Sequence, residues 1–181
     1  MRVPLRWLKE YVEINVTTEE LADRLTMAGL EVAAIEQYPS GPIDWDGIVV
    51  GEVVGVEAHP NADKLVVATV KLPDGEYQSV TGAPNITIGS SGMRVAVATA
   101  GAHIINAYND GSEAIKVMAT ELRGIESQVV LCSECELGLS DDHSGVLILD
   151  DDAAIGSPLV DLLGDEVIDI DLTPNLGRCL S

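Results

Sequence analysis

Residues 45–149 are written in short apolar runs, each cut off by glycine, proline or aspartate before it is long enough for a helix, and no other feature restricts the fold as tightly. Runs 48–56 and 65–72 are rich in Val and Ile. After residue 72, Pro73-Asp74-Gly75 is a hairpin turn with a mechanism: proline presets φ, and glycine supplies a positive one. Further strands are predicted at 77–80, 93–98, 114–118 and 129–132. Several short strands with Gly-rich turns and few helices make a small barrel. The Gly-Ser-Ser-Gly at 89–92 is a flexible turn without a phosphate-cradling role, since no helix bearing a lysine follows it.

The two ends of the chain have a different pattern. Leu5, Leu8 and Val12 fall at i, i+3 and i+7 with Trp7 and Tyr11 beside them, which predicts a short helix with one apolar face. Thr17 and Glu20 stand at capping-box spacing, Leu21, Leu25 and Ala28 form the stripe of a second helix, and Gly29 sits where a C-terminal cap puts φ above zero. Residues 30–35 read as extended, and the YPSGP at 38–42 breaks the pattern as a linker. Beyond the barrel, 157–163 predicts a short amphipathic helix and 167–172 a strand.

Neither end can bury a core alone, because units below about 40 residues rarely fold without a staple. The expected fold class is therefore α+β and mainly β. Residues 1–40 plus 150–181 would pack together as one discontinuous α/β domain, with a barrel of residues 41–149 inserted into it.

Charge limits the function. With 10 Lys+Arg against 30 Asp+Glu the chain carries a formal −20, whereas affinity for nucleic acid comes from cations that displace counterions from phosphates. Residues 45–150 hold 5 basic and 15 acidic side chains and the rest of the chain holds the same, so each part is −10. A broadly basic nucleic-acid binder is excluded, and any RNA contact is local and weak. The acidity is read first as that of a cytoplasmic or salt-adapted protein kept soluble by charge. No run reaches the roughly 18 apolar residues of a membrane helix, and the N-terminus lacks a signal peptide's apolar core, so a cytoplasmic protein with no membrane partner is expected. Three cysteines do not make a disulfide framework and suit a reducing compartment.

The heptapeptide HPNADKL at 59–65 carries the clearest local chemistry. Pro60 fixes the chain direction, Asn61 and Asp63 can bond backbone amides in the turn, and Lys64 points outward as a phosphate donor. The plainer reading is that the motif shapes the connection between the first two barrel strands. Cys132 and Cys135 form a C-x-x-C pair, yet zinc needs four ligands and the chain adds only Cys179 and three scattered histidines, so a metal site is not expected. His143 lies beside Asp141 and Asp142 and reads as part of a solvated loop before a strand at 146–149, and His103 as a structural residue. A stacking surface for bases is poorly supplied: the chain has no Phe, and Tyr77 and Tyr108 are the aromatics inside the barrel beside the boundary Trp45.

HPNADKL is followed in fixed order by TGAPN at 81–85 and by LRGIES…LCS between Leu122 and Ser133. It is preceded by VPLRWLKEYVEI at 3–14 and EELADRLTMAGLEV at 19–32, and the chain closes on IDLTPNLGRCLS at 170–181. Together these strings resemble the start of the bacterial phenylalanyl-tRNA synthetase beta chain, which carries an oligonucleotide-binding barrel as a tRNA-binding module. The resemblance implies a five-stranded OB-fold barrel in Greek-key order, with His59, Asn61, Lys64, Arg123, Ser127 and Ser133 as candidate RNA contacts. It departs at Gln128, Val129 and Val130, which remove a methionine from the RNA face, at Thr81 where cysteine is frequent, and at Leu176 and Arg178 near the end.

It further implies a fragment of a longer subunit whose partners are tRNA and a synthetase alpha chain in an alpha2-beta2 heterotetramer. ATP and magnesium belong to the full synthetase; this chain has no catalytic triad, metal site or nucleotide loop of its own. Two roles stay open: an RNA-binding module that helps hold tRNA, favoured by the motifs, and a structural appendage that meets protein, favoured by the charge.

Overall fold

The computed structural model describes residues 1–39, 43–106 and 113–174. Ser40, Gly41 and Pro42 of the YPSGP linker, Tyr108, Leu176, Arg178 and Cys179 lie outside them. In chain order the elements are β1 (Arg2–Pro4), α1 (Leu5–Lys9), α2 (Thr18–Met27), β2 (Glu31–Tyr38), β3 (Ile48–Ala58), β4 (Val66–Leu72) and β5 (Gly75–Thr81). There follow β6 (Met93–Ala98), β7 (His103–Ile105), β8 (Ala114–Lys116), β9 (Thr120–Leu122), β10 (Ile125–Ser127), β11 (Val130–Leu131), β12 (Ile148–Leu149), α3 (Leu159–Leu163) and β13 (Asp165–Asp171). They divide into two compact units, one from the described residues of 1–40 and 164–181, the other from those of 41–163.

The unit of chain ends is a three-stranded antiparallel sheet in the order β1-β13-β2, with Val3 opposite Ile168 and Ile168 opposite Ile35. Leu5, Ile168 and Ile170 are its buried centre, and Leu21, Leu25, Val32 and Leu172 pack against them. At α2 only half of the capping box forms. Thr17 Oγ1 accepts from Glu20 N at 3.3 Å, while the Glu20 carboxylate pairs with Arg24 one turn on instead of folding back. Gly29 takes the expected positive φ of 93°. The first helix is shorter than the leucine spacing predicts: α1 ends at Lys9, buries only Leu5, and leaves Val12 outside it and exposed. Past Lys9 the chain holds one more turn, in which Tyr11 N and Val12 N both donate to Leu8 O (3.1 and 3.2 Å).

The second unit is a nearly closed antiparallel sheet. Its order is β11-β6-β3-β4-β5, with β12 sharing the β6 edge that β11 uses. The sheet returns on itself where Gln128 N donates to Gln78 O on β5 (2.8 Å) and Gln78 N donates to Gln128 Oε1 (3.1 Å). Valines from both halves fill the interior: Val53, Val56, Val70, Val95, Val97 and Val129, with Leu131. Gly51 is required there, because a Cβ would stand 2.6 Å from Val97 Cγ2. The predicted turn is fastened by Tyr77, whose hydroxyl donates to Asp74 Oδ2 at 2.7 Å. That bond raises the phenol's pKa above its ordinary value.

Strands β3 and β6 are buried on their other face as well, since Ile48, Val50, Ala96 and Ala98 belong to a second cluster with Trp45, Ile104, Leu137 and Leu159. This corrects the expected boundary at residue 150. Leu159 is 0% exposed, Val50 N donates to Ser157 O (3.0 Å), and Gly156 N donates to Val50 O (2.8 Å). Residues up to Leu163 therefore go with the sheet, whose outer face needs a cover; only the strand after Gly164 joins the chain ends. Other differences are local. The 129–132 strand shortens to Val130–Leu131, the 114–118 strand stops at Lys116, and the hairpin β9–β10 has no counterpart in the sequence reading. Its three-residue arms are too short to show a period of two.

Replacing Leu159 by Ala should destabilise the sheet unit by about 2–5 kcal/mol in urea unfolding, the range for emptying a fully buried leucine site. In the unit of chain ends the Glu166 carboxylate accepts from Thr18 Oγ1 and from Gln37 Nε2 (2.8 Å), and these donors hold its pKa below the ordinary 4.5. A depressed pKa gives stability that is complete above the unfolded value and is lost as pH falls through the folded one. Glu166→Gln should therefore cost about 0.5–1 kcal/mol near pH 7, and the gap to the parent chain should close below about pH 4 in parallel unfolding curves.

Candidate nucleic-acid interface

The connection between β3 and β4 is a self-bonded loop: His59 N donates to Leu65 O (3.2 Å) and Leu65 N to Ala62 O (3.2 Å). His59 is only 5% exposed, and both ring nitrogens are used. Nδ1 accepts from Asn61 N (3.1 Å), so Nε2 carries the hydrogen and donates it to Leu122 O (3.1 Å). One residue along, Asn61 Nδ2 donates to Arg123 O (2.9 Å). The two motifs, HPNADKL and LRGIES, thus meet through main-chain carbonyls.

Those carbonyls belong to the turn of the β9–β10 hairpin, where Arg123 has φ 50° and Gly124 φ 88°. Two-residue hairpin turns with positive φ at both centres select Asn, Asp or Gly. Arginine there costs roughly 1 kcal/mol in backbone sterics. Its side chain is exposed, as is that of Lys64, and among the described residues no carboxylate pairs with either.

The two candidate serines are turned to the chain itself. Ser127 Oγ accepts from Val80 N (3.1 Å) and donates to Val129 O (3.2 Å), which ties β10 to β5. Ser133 Oγ donates to Glu136 Oε2 (2.9 Å) and accepts from Glu136 N (3.3 Å), while Ser133 N donates to the same carboxylate (2.7 Å). This reciprocal cap shapes the turn that buries Leu137, whose carbonyl accepts from Trp45 Nε1 (2.8 Å). TGAPN behaves likewise: Asn85 donates to Val146 O (2.8 Å) and accepts from Val146 N (3.0 Å).

A groove of about 820 Å³ runs between these loops, lined by Leu65, Thr81, Gly82, Met118, Leu122, Ser127, Val130, Ser133, Glu136 and His143 among others. Lys64 and Arg123 are sequence neighbours of its lining residues Leu65 and Leu122. Met118, 68% exposed, brings a thioether to the groove from a different segment than the one where Val130 stands. The sequence reading missed Met118, Leu122, Glu136 and His143 as lining residues. The SDDHSG pattern held a signal for His143 only, whose Nδ1–H donates to Asp141 O (3.2 Å). Nearby, Ser144 donates its backbone amide to Asp142 Oδ1 (2.8 Å), and Ser144's side chain and backbone keep that carboxyl below its ordinary pKa.

The electrostatics are mixed. Glu121 and Glu126 oppose each other across β9–β10, both exposed, and Glu136 lines the groove. Cys132 is fully buried and its thiol is pushed up by desolvation, so it is held protonated; Cys135 is half-buried. Among the described residues no three His, Cys, Asp or Glu side chains are grouped so as to hold a metal ion. The turn at 89–92 does not open a helix. No helix of the described residues is long and apolar enough to cross a membrane.

A nearly closed antiparallel sheet with a groove, edged by loops that present exposed cations, defines a small β domain of the nucleic-acid-contacting class. The family model described as "Putative tRNA binding domain" matches residues 48–158, and the chain belongs to that family. Across 177 residues, 98% of its length, the chain is 44% identical to the phenylalanine–tRNA ligase beta subunit of Dehalococcoides mccartyi (strain CBDB1), of which it covers 21%. The like-named subunit of Salinibacter ruber is 46% identical over 186 residues, 97% of the chain and 22% of the subunit. That of Protochlamydia amoebophila is 43% identical over 181 residues, 100% and 21%. The chain thus spans about a fifth of the length of the curated relatives it matches. A solved structure of a MetRS related protein from Pyrococcus horikoshii aligns at a TM-score of 0.39 and 18% identity, over 61% of this chain and 85% of that one, too loosely to bear on the fold.

Asn61→Ala removes the side-chain bond to Arg123 O and leaves a carbonyl without its donor. The variant should lose about 0.5–1 kcal/mol, since water can replace the donor at this exposed carbonyl, and amide exchange in β9–β10 should speed up more than in β3–β4.

Proposed function

We propose that this chain is the N-terminal accessory region of a phenylalanine–tRNA ligase beta subunit, an OB-type barrel inserted into a small domain made of the chain ends, and that it contacts tRNA through the loops carrying Lys64 and Arg123. One observation carries the reading: His59 and Asn61 bond the carbonyls of Leu122 and Arg123, so two loops are held together while, among the described residues, no carboxylate pairs with their cations. His59, Asn61, Ser127 and Ser133 then act as positioning residues for the face, and Lys64 and Arg123 as its phosphate contacts. The groove beside them, with Met118 and Leu122 in place of aromatic rings, offers apolar contact to a base.

On this reading the chain works in the cytoplasm beside a synthetase alpha chain in an alpha2-beta2 assembly. ATP, magnesium and the joining of phenylalanine to tRNA belong to other parts of that enzyme. The formal −20 supports a second reading, in which the region organises the subunit and makes no RNA contact.

A tRNA titration of the chain across salt concentrations separates the two. With one to three phosphates met, log K against log salt should fall with a slope of about −1 to −3. Lys64→Ala should weaken binding uniformly across tRNA sequences and flatten the slope by about one. Arg123→Asn should do the same while leaving the melting temperature unchanged or higher, since Asn suits the positive φ better. Binding untouched by both substitutions moves the contact elsewhere, and no binding at low salt leaves the structural role.

A further inference from the structure

Among the described residues, the side chains with oxygen or nitrogen that line the groove are Thr81, Thr120, Ser127, Ser133, Glu136 and His143. Much of their hydrogen-bonding capacity is already satisfied within the fold. Ser127 Oγ accepts from Val80 N and donates to Val129 O. Ser133 Oγ donates to Glu136 Oε2 and accepts from Glu136 N, and Thr120 Oγ1 donates to Met118 O at 3.0 Å. What stays open is unequal. Thr81 Oγ1 accepts from Ala83 N (3.1 Å) and keeps its hydrogen, so it is the open donor of the set. The open acceptors are stronger. Both donors to the Glu136 carboxylate come from Ser133 and go to Oε2, so among the described residues Oε1 has none. His143 gives its Nδ1–H to Asp141 O, which leaves a lone pair on Nε2 of the neutral ring.

The carboxylate decides which part of a nucleotide enters. A phosphate in the groove would meet Glu136, whereas Lys64 and Arg123 are the sequence neighbours of the lining residues Leu65 and Leu122. The RNA backbone therefore stays with the cations, and a base turns inward. Its pairing edge has to bring more donors than acceptors to this set of side chains. Uracil presents one donor between two acceptors, and cytosine and adenine each set a single amine beside acceptors. Guanine alone offers two donor groups, N1–H and the N2 amine, with one acceptor at O6. We propose that the groove selects an unpaired guanine, whose N1–H and N2 amine meet Glu136 Oε1 and His143 Nε2 and whose O6 meets the Thr81 hydroxyl. The inference rests on the reading of the barrel loops as an RNA contact and adds what that contact selects. Every lining residue falls within the family-matched 48–158, which favours RNA over a protein segment as the occupant.

The whole chain is titrated at about pH 8, where a free imidazole is neutral, with short labelled uridylate strands that differ only in the central base. By fluorescence anisotropy, guanosine at the centre should bind about 5- to 100-fold more tightly than uridine there. Inosine, which is guanosine without the N2 amine, should lose most of that gain while the protein is unchanged. Glu136→Gln tests the other side of the contact. Its amide oxygen can accept from Ser133 as the carboxylate does, which puts an NH2 group in place of Oε1 and turns an acceptor into a donor. The guanosine preference should then disappear. Lys64→Ala should weaken every strand alike and leave the ratio intact. Binding that Lys64→Ala weakens but that ignores the central base, or a preference that survives both inosine and Glu136→Gln, overturns the guanine assignment and leaves the barrel contact standing. No binding by any strand overturns both and leaves the groove to a protein partner.

Discussion

Strand β5 is the edge on which the sheet unit depends. Its amides at Gln78 and Val80 would be open to solvent if the chain at 127–128 did not cover them, and an uncovered edge both invites pairing with other chains and admits water to the interior. Gln128 meets Gln78 through backbone and side chain, and Ser127 accepts from Val80 N. That meeting turns a five-strand path into a nearly closed sheet and keeps Val53, Val70, Val95 and Val97 dry. It also fixes the root of the β9–β10 hairpin, because Ser127 is the last residue of β10. The hairpin turn is then carried to where His59 and Asn61 can reach it.

The motif residues share one habit: they bond main chain. His59 holds Leu122 O, Asn61 holds Arg123 O, Asn85 brackets Val146, and Ser127 holds Val80 N. Short loops around a small barrel leave many backbone groups without a ladder partner, and each buried one left unpaired is expensive. Imidazole, carboxamide and hydroxyl groups of fixed length satisfy them at specific sites, which is why such strings are recognisable in sequence. The same fact makes them ambiguous. A histidine that bonds a carbonyl looks in sequence like a histidine that bonds a phosphate, and only the geometry shows which atoms remain to meet a ligand.

This explains what could and could not be read beforehand. The Val and Ile runs, the Pro73-Asp74 turn and the Thr17 cap were legible because each is a local property: a period, a fixed φ, a side chain three residues from its amide. The β9–β10 hairpin was not, since its turn residue is an arginine where turn chemistry selects asparagine or glycine, and its arms are three residues long. The assignment of 150–163 failed for a non-local reason. Nothing in the amphipathic 157–163 says which apolar surface it covers, and the outer face of β3 and β6, with Ile48, Val50, Ala96 and Ala98, is visible only after the sheet is assembled. The groove was hidden likewise, its lining drawn from five separated segments whose meeting no spacing encodes.

Net charge, which weighed most against nucleic acid in the sequence, weighs less once positions are known. At physiological salt a charge is felt over about 8 Å, so a bound phosphate senses the side chains next to it and little of a formal −20 spread over the surface. Several of the carboxylates are already engaged: Glu136 in the Ser133 cap, Glu166 with Thr18 and Gln37, Glu52 with Arg94 at 3.1 Å. What opposes RNA near the hairpin is the specific pair Glu121 and Glu126, which face each other on the arms that carry Arg123. Like charges directly opposite destabilise a strand pair and also weaken a phosphate contact beside them. A cation close to that pair would relieve both effects, and the exposed cation nearest in sequence to both glutamates is Arg123 itself, held at the hairpin turn by Asn61.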